Sequence, residues 1–600
     1  MRDHVTTRAL QAIAAIVMIV GVSACASAPA ADTPAGRAGD VMPTSDDPRV
    51  GLAAGVGNAA EAAASNMRLV SWTPKPAQLD SARGLAFINS DLAFKGDIVY
   101  QGNFSGFSIF DVSNPARPTL LSATLCATDQ GDPSIYGNLL FISAESQRAR
   151  TDCGMQGVAE GQGQSRMRGV RIYDVSNPRS PRLVKNVQTC RGSHTHTIVP
   201  HPTDANIIYI YVGGSSQVRD AAEVPELSCS EGAVAENSNT AQYRIDIIRV
   251  PLNNPAQAAV TGFARIFEDL PGSPGRGGVA AADVPAGQRR GGPSGCHDLT
   301  SYPAYRLVAG SCGSFGILLD ATNPERPVRL DAKSDLNFSL WHTAVFNNAG
   351  TSVVFTDEWG GGTSPRCRIT DPERLGGNTI LSIADRRLTQ HGYFKMLAAQ
   401  TDAENCVSHN GGLIPVPGRD IMVQGWYQGG VNVFDFTDPA NPVEIAFFDR
   451  GPVNAETLVM GGSWGAYWHN GYIYSSELSR GLDVLEMLPS EHLSQNELDA
   501  AKLVRMEDYN PQSQPRIEWP AAFPVARSYL DQLVRNNGLP AARTTAIAAA
   551  LATAERASGS ARSDQLNRIA GELDRDVAGA RDPNRVRAMA AAVRKLAGGR

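Results

Sequence analysis

Charge is scarce in this sequence, and what there is does not cluster. Charged residues make up 19 % of the 600, with a net charge of −6. A nucleic-acid binder needs a basic stripe or patch, so that class is excluded. The apolar run near the N-terminus, Ala9–Val22, falls short of the roughly 20 residues a spanning helix requires. No Gly-x-Ser-x-Gly is present, so no nucleophile elbow is expected. The glycine runs Gly360–Gly362 and Gly429-Gly430 lack the strand-to-helix setting of a phosphate loop. Histidine is rare, at ten residues. At this length the chain is too long for one core, so two or more domains are expected.

What is present is a repeat. Phe107–Pro118 reads FSIFDVSNPARP, Val170–Pro181 reads VRIYDVSNPRSP, Phe315–Pro327 reads FGILLDATNPERP and Val431–Pro442 reads VNVFDFTDPANP. Looser copies are Ile245–Pro255, Asn378–Leu388 and Leu482–Leu488. The apolar alternation predicts a strand. Asp with Asn-Pro or Asp-Pro then forces a turn. A strand-rich period of roughly 40–60 residues predicts a propeller or a solenoid.

The D-x-[ST]-[ND]-P-x-x-P signature resembles the LVIVD family of β-propeller repeats, over about Met67 to Leu488. The resemblance implies a β-propeller, and counting signature strands gives seven blades at 67–488, four strands per unit, so a mainly β fold. After Met487 a helix period adds a small all-α module. The last unit lacks an outer strand, and Arg68–Thr73 is predicted to supply it, closing the ring and hiding its edges. Residues 489–523 read as a linker. Residues 524–600 read as a helical bundle, with breakers at Asn537-Gly538 and Asp582-Pro583, acting as an adaptor or a packing appendage.

Arg2 and Arg8 precede the N-terminal apolar run, and Val22-Ser23-Ala24-Cys25 follows. This resembles a bacterial lipoprotein signal over 1–25, with lipidation at Cys25. A plain secretory signal is the alternative. Residues 26–66, rich in Ala, Gly and Pro, read as a flexible tether. The chain is thus expected to be an outer-membrane or surface lipoprotein, or else secreted or periplasmic.

In a four-stranded blade the connections entering the first strand and those between the second and third share one face. The long connections Ala144–Gly169, Gly214–Tyr243, Asp357–Gly377 and Glu268–Gly295 all fall there. So do Cys126, Cys153, Cys190, Cys229, Cys296, Cys312, Cys367 and Cys406. An even number in an exported chain implies disulfides, with 105 possible pairings of eight. The common face makes sequential pairing natural: 126–153, 190–229, 296–312 and 367–406.

Four histidines share one register at the start of first strands: His196, His297, His342 and His409. Asp357, Glu358 and Glu477 end second strands on the same rim, and His469 falls on the opposite face. Imidazoles with carboxylates around one opening predict a copper or zinc site. The layout is similar to that of the selenium-binding and methanethiol-oxidase propellers. Alternatively, the histidines form a hydrogen-bonding collar with Thr197, Asp298, Thr343 and Asn410. His194, Asp132, Glu145, Trp359, Trp426 and Trp464 are expected on the binding rim, with Trp341 and Tyr427 nearby. Two functions follow. One is a lipid-anchored monomer whose rim binds an envelope or extracellular macromolecule, polysaccharide or peptide. The other is a metal-dependent oxidoreductase.

Overall fold

The computed structural model describes residues 46–80, 87–145, 147–272, 275–276, 279–280, 282–283, 293–396 and 398–598. The signal segment, Cys25 and part of the connection before Cys296 lie outside the described residues.

The repeat signature is a local hydrogen-bonding device. Asp111 accepts from the backbone N–H of Ser113 at 2.9 Å, and Asn114 accepts from that of Ala116 at 3.2 Å. Asp174 with Ser176, Asp320 with Thr322 and Asp435 with Thr437 repeat the first contact. Asn177, Asn323 and Asp438 repeat the second. Each pair satisfies the N–H groups of a turn that proline then locks. The strand before each turn is buried on both faces, and the strand after it is the outer one.

The chain is mainly β and propeller-like, built from four-stranded antiparallel meanders. The first strands lie side by side in chain order, from Asn89–Lys95 through Pro133–Tyr136, His196–Pro200, Leu299–Tyr302, Trp341–Phe346 and Asn410–Leu413 to Ser463–His469. The last returns to the first, so the array is closed. Met67–Pro74 pairs antiparallel with Gly481–Met487, Met67 opposite Met487, and so completes the final meander with an N-terminal strand. Residues from both ends of the chain thereby close the ring and cover its edges.

Two stretches depart from expectation. The described part of the tether is docked, not free. Ala62–Ser65 pairs with Val443–Arg450. The fully buried Arg49 is held by Asp47 and by Glu444 at 2.7 Å, beneath the Phe447 ring. The stretch expected as a linker carries the helix Gln495–Lys502 and then crosses the end of the ring opposite the histidines. Tyr509 pairs with Phe94, and Asn510 bonds both backbone groups of Ile135. Gln512 and Gln514 bond Ser301, and Gln514 also bonds both backbone groups of Phe346. The side chain of Trp519 donates to Pro415. A polar strap thus fastens first strands together by satisfying backbone groups that would otherwise be orphaned.

The helices Phe523–Arg535, Ala541–Arg556, Gly559–Asp576 and Pro583–Ala597 share a core that includes Leu533, Leu551, Leu573 and Met589. Among the described residues no helix is long and apolar enough to cross a membrane. Cys126–Cys153, Cys190–Cys229, Cys296–Cys312 and Cys367–Cys406 are bonded, in sequential order. Four disulfides imply an oxidising compartment, extracellular or periplasmic.

Candidate metal centre

Four imidazoles stand in a row at the strand starts. Ring centroids are 4.1 Å apart for His194 and His297, 4.2 Å for His297 and His342, and 4.1 Å for His342 and His409. Glu358, just beyond the strand Ser352–Asp357, reaches across them. The Nε2 atoms of His297, His342 and His409 lie 3.9, 3.7 and 3.9 Å from its carboxylate oxygens. These distances are longer than hydrogen bonds. His342, Glu358 and His409 form one compact group of possible ligands, and His297, Asp298 and His342 form another.

Three of the four Nδ1 atoms are already committed, whereas His342 Nδ1 has no hydrogen-bond partner. His409 Nδ1 meets the Trp464 backbone carbonyl, and His409 Nε2 has no hydrogen-bond partner. The carbonyl can only accept, so the proton sits on Nδ1 and the Nε2 lone pair faces Glu358. His297 Nδ1 meets Asp298 at 2.9 Å, and His194 Nδ1 meets Glu145 at 2.7 Å. The other Glu145 oxygen accepts from Ser216 at 2.6 Å. A carbonyl or carboxylate behind a ligating imidazole is the usual support of a metal site. Tyr427 donates to Glu358. This tyrosine is buried and holds φ at +50°, in the left-handed region. Mutual contacts with Ser463, N–H to O in both directions, keep it there.

Electrostatics favour neutral imidazoles within. Burial drives His409 down to about 3, and burial followed by its imidazole neighbours drives His342 well below its usual range. Burial raises Glu358 above the usual carboxylate range. At the outer end burial opposes ionisation, but the pairing overrides it. Glu145 is held down to about 2 and His194 up to about 9.

The expected residues divide sharply. His297, His342, His409 and Glu358 come together. His196 does not join them, and His194 occupies that end of the row. His196 Nδ1 instead meets Ser143 at 2.8 Å, and its ring stands edge-on to Phe141. Asp357 is turned to the backbone, accepting from Leu340 and Gly376. Glu477 accepts from the backbone of Gly462, Ser479 and Arg480 and pairs with the Arg480 side chain. Asp132 is buried below the row, accepting from the Asp91 backbone at 3.2 Å. Trp426 lies in the core, not on the rim. Trp359 and Trp464 pack in an apolar cluster with Phe104 and Tyr427. His469 lies at the opposite end, stacked on Phe94. The support roles of Tyr427 and Asp298 were not read from sequence. Asp298 directly after His297 is a usable signal, whereas Tyr427 offers none.

Among family models, that of the LVIVD repeat matches residues 88–125 and 167–189. No curated protein matches. Two solved structures match this chain over much of its length. A computationally designed protein, Ika8, is 12 % identical with a TM-score of 0.32, covering 66 % of this chain and 95 % of its own. A protein from Lactobacillus plantarum is 10 % identical with a TM-score of 0.39, covering 72 % of this chain and 98 % of its own.

Proposed function

This chain carries LVIVD repeats, and we propose that it is an exported, seven-bladed β-propeller that binds one copper or zinc ion. The ligands are His297, His342, His409 and Glu358. The ion equips the rim to bind an envelope macromolecule, polysaccharide or peptide. The observation that carries the reading is the convergence of three Nε2 atoms on Glu358, at 3.7–3.9 Å, with two of the imidazoles backed by Asp298 and Trp464. A small contraction lets an ion seated between these donors meet each nitrogen at the 2.0–2.1 Å typical of zinc–nitrogen bonds. Copper binds imidazole most tightly among divalent first-row ions.

Metal analysis of protein purified without chelators tests this. One ion per chain is expected in the parent, and none in a folded His342→Ala/His409→Ala variant. Metal-free parent protein, or full occupancy in the variant, refutes it and leaves the row as a hydrogen-bonding collar. Burial keeps His342 and His409 neutral well below the ordinary imidazole range, so their protonation is not expected to weaken binding as pH falls through about 6.

A metal-dependent oxidoreductase is the second reading. It is favoured by the burial of the centre against Tyr427 and Trp464, whose rings lie 4.6 Å from that of His409. Lipid attachment at Cys25, in an outer or surface membrane, belongs to the same proposal. Cys25→Ser is expected to move the protein to soluble fractions, and unchanged membrane fractionation refutes the anchor.

A further inference from the structure

The row is graded in exposure. Side-chain accessibility is 13 % at His194 and 11 % at His297, then 2 % at His342 and 0 % at His409. The innermost imidazole lies against Trp464 and Tyr427, in a cluster that also holds Phe104, Trp359 and Val407. An ion bound for Glu358 meets His194 and His297 before the buried ligands.

The opposite mouth is strapped shut. The Gln512 backbone carbonyl accepts from the backbone of Ser301 and the hydroxyl of Thr197. Its side-chain amide reaches Asp91 at 3.4 Å. Gln514 bonds Ser301 and Phe346, and Asn510 bonds Ile135. These are contacts to first strands of several meanders, made by backbone and side-chain atoms of buried residues.

His194 differs from the three inner imidazoles. No contact joins it to Glu358 among those within 4 Å, whereas the other three each make one. Its Nδ1 is clamped by Glu145, and Glu145 by Ser216. The ring is therefore oriented as a ligand is, yet stands one ring-to-ring step, 4.1 Å, outside the convergent set.

We propose that His194, oriented by Glu145, is the entry ligand of the centre. It takes a divalent transition-metal ion from solvent and passes it inward along the row, while the 508–519 strap keeps the opposite mouth closed. The inference rests on the metal reading above. Besides metal–ligand bonds, only the His194 Nε2–H bond breaks, its proton passing to solvent water, and the ion keeps its charge. The incoming ion exchanges water for the deprotonated His194 Nε2, then His194 for the inner set, and His194 takes a proton back from water as the ion leaves it.

Cobalt(II) uptake by the chelator-treated full-length protein, followed by its visible absorbance in a stopped-flow instrument, tests this. With His194→Ala the uptake rate is expected to fall about tenfold, the lower end of what losing a metal-supporting group costs. The final stoichiometry and spectrum are expected to stay those of the parent. Glu145→Gln, which releases the clamp, is expected to slow uptake in the same way and serves if His194→Ala does not fold. Gln512→Ala/Gln514→Ala, which loosens the strap, is expected to leave the rate unchanged. Parent-like rates in both His194→Ala and Glu145→Gln overturn the proposal, as does faster uptake through the loosened strap. Loss of stoichiometry in His194→Ala also overturns it, because His194 is then a permanent ligand. Uptake by the parent that is slowed by neither change defeats this inference alone. No uptake by the parent defeats the metal reading, and this inference with it.

Discussion

The Tyr427 phenol donates to one oxygen of Glu358, the carboxylate on which three imidazole Nε2 atoms converge. It fixes the carboxylate at which the row of imidazoles converges. Tyr427→Phe keeps the ring in its packed place and removes only this contact. Zinc or cobalt affinity is expected to fall about 10–100-fold, as when other supporting groups are lost. The thermal midpoint is expected to fall as well, because the buried Glu358 carboxylate loses a donor. Parent-like affinity in a competitive chelator titration rules the role out.

The strap is expected to matter for stability more than its length suggests. Asn510 donates to the Ile135 carbonyl at 2.7 Å and accepts from its N–H at 2.6 Å. Gln514 does the same for Phe346, at 2.7 and 3.0 Å. Alanine at either position leaves two buried backbone groups without partners. Each change is expected to cost about 1–3 kcal/mol in chemical denaturation. A loss of less than about 0.5 kcal/mol, the range of ordinary surface substitutions, contradicts this.

The Glu145–His194 pair predicts a pH window. Glu145 is held down to about 2 from an ordinary 4.5, so its contribution to stability is present above 4.5 and lost as pH falls through about 2. His194 is held up to about 9 from an ordinary 6.5, so its contribution is present below 6.5 and lost as pH rises through about 9. Both are complete only between 4.5 and 6.5. In metal-free protein, the stability difference between the parent and Glu145→Gln should peak there and shrink on either side. A difference that is flat with pH would exclude the pair as its source.

The four bridges are open to direct mapping. Intact mass of the oxidised, metal-free protein should rise by eight hydrogens on reduction, two for each pair. Peptide mapping should link Cys296 to Cys312, 16 residues apart. A loop of that size contributes about 3 kcal/mol in the chain-entropy account. A cross-link between distant loops, such as Cys126 to Cys406, is incompatible with this strand order.

By itself, the sequence determined whatever rests on contacts between near neighbours. The Asp–Ser and Asn–Ala turn contacts need only residues two apart, so Asp111-Val112-Ser113-Asn114-Pro115 announces a strand and its turn. The alternation of the strands and the pairing of cysteines on neighbouring loops are legible for the same reason. So is the outer strand contributed by Met67–Pro74, because the final unit visibly lacks one. The register of His297, His342 and His409 follows from the repeat.

Tertiary structure alone decided which members of that register meet. His194 and His196 are two residues apart at one strand entrance. The hydroxyl of Ser143, from the preceding meander, captures His196, while Glu145, two residues beyond Ser143, orients His194. Asp357 and Glu358 are adjacent, yet backbone N–H groups claim the first and leave the second to the imidazoles. The strap was invisible because its partners are backbone groups of distant strands. Any polar side chain of suitable reach can satisfy such groups, so no periodicity marks it. Local hydrogen bonds and apolar alternation write the fold into the chain, whereas the site depends on which distant groups compete for each side chain.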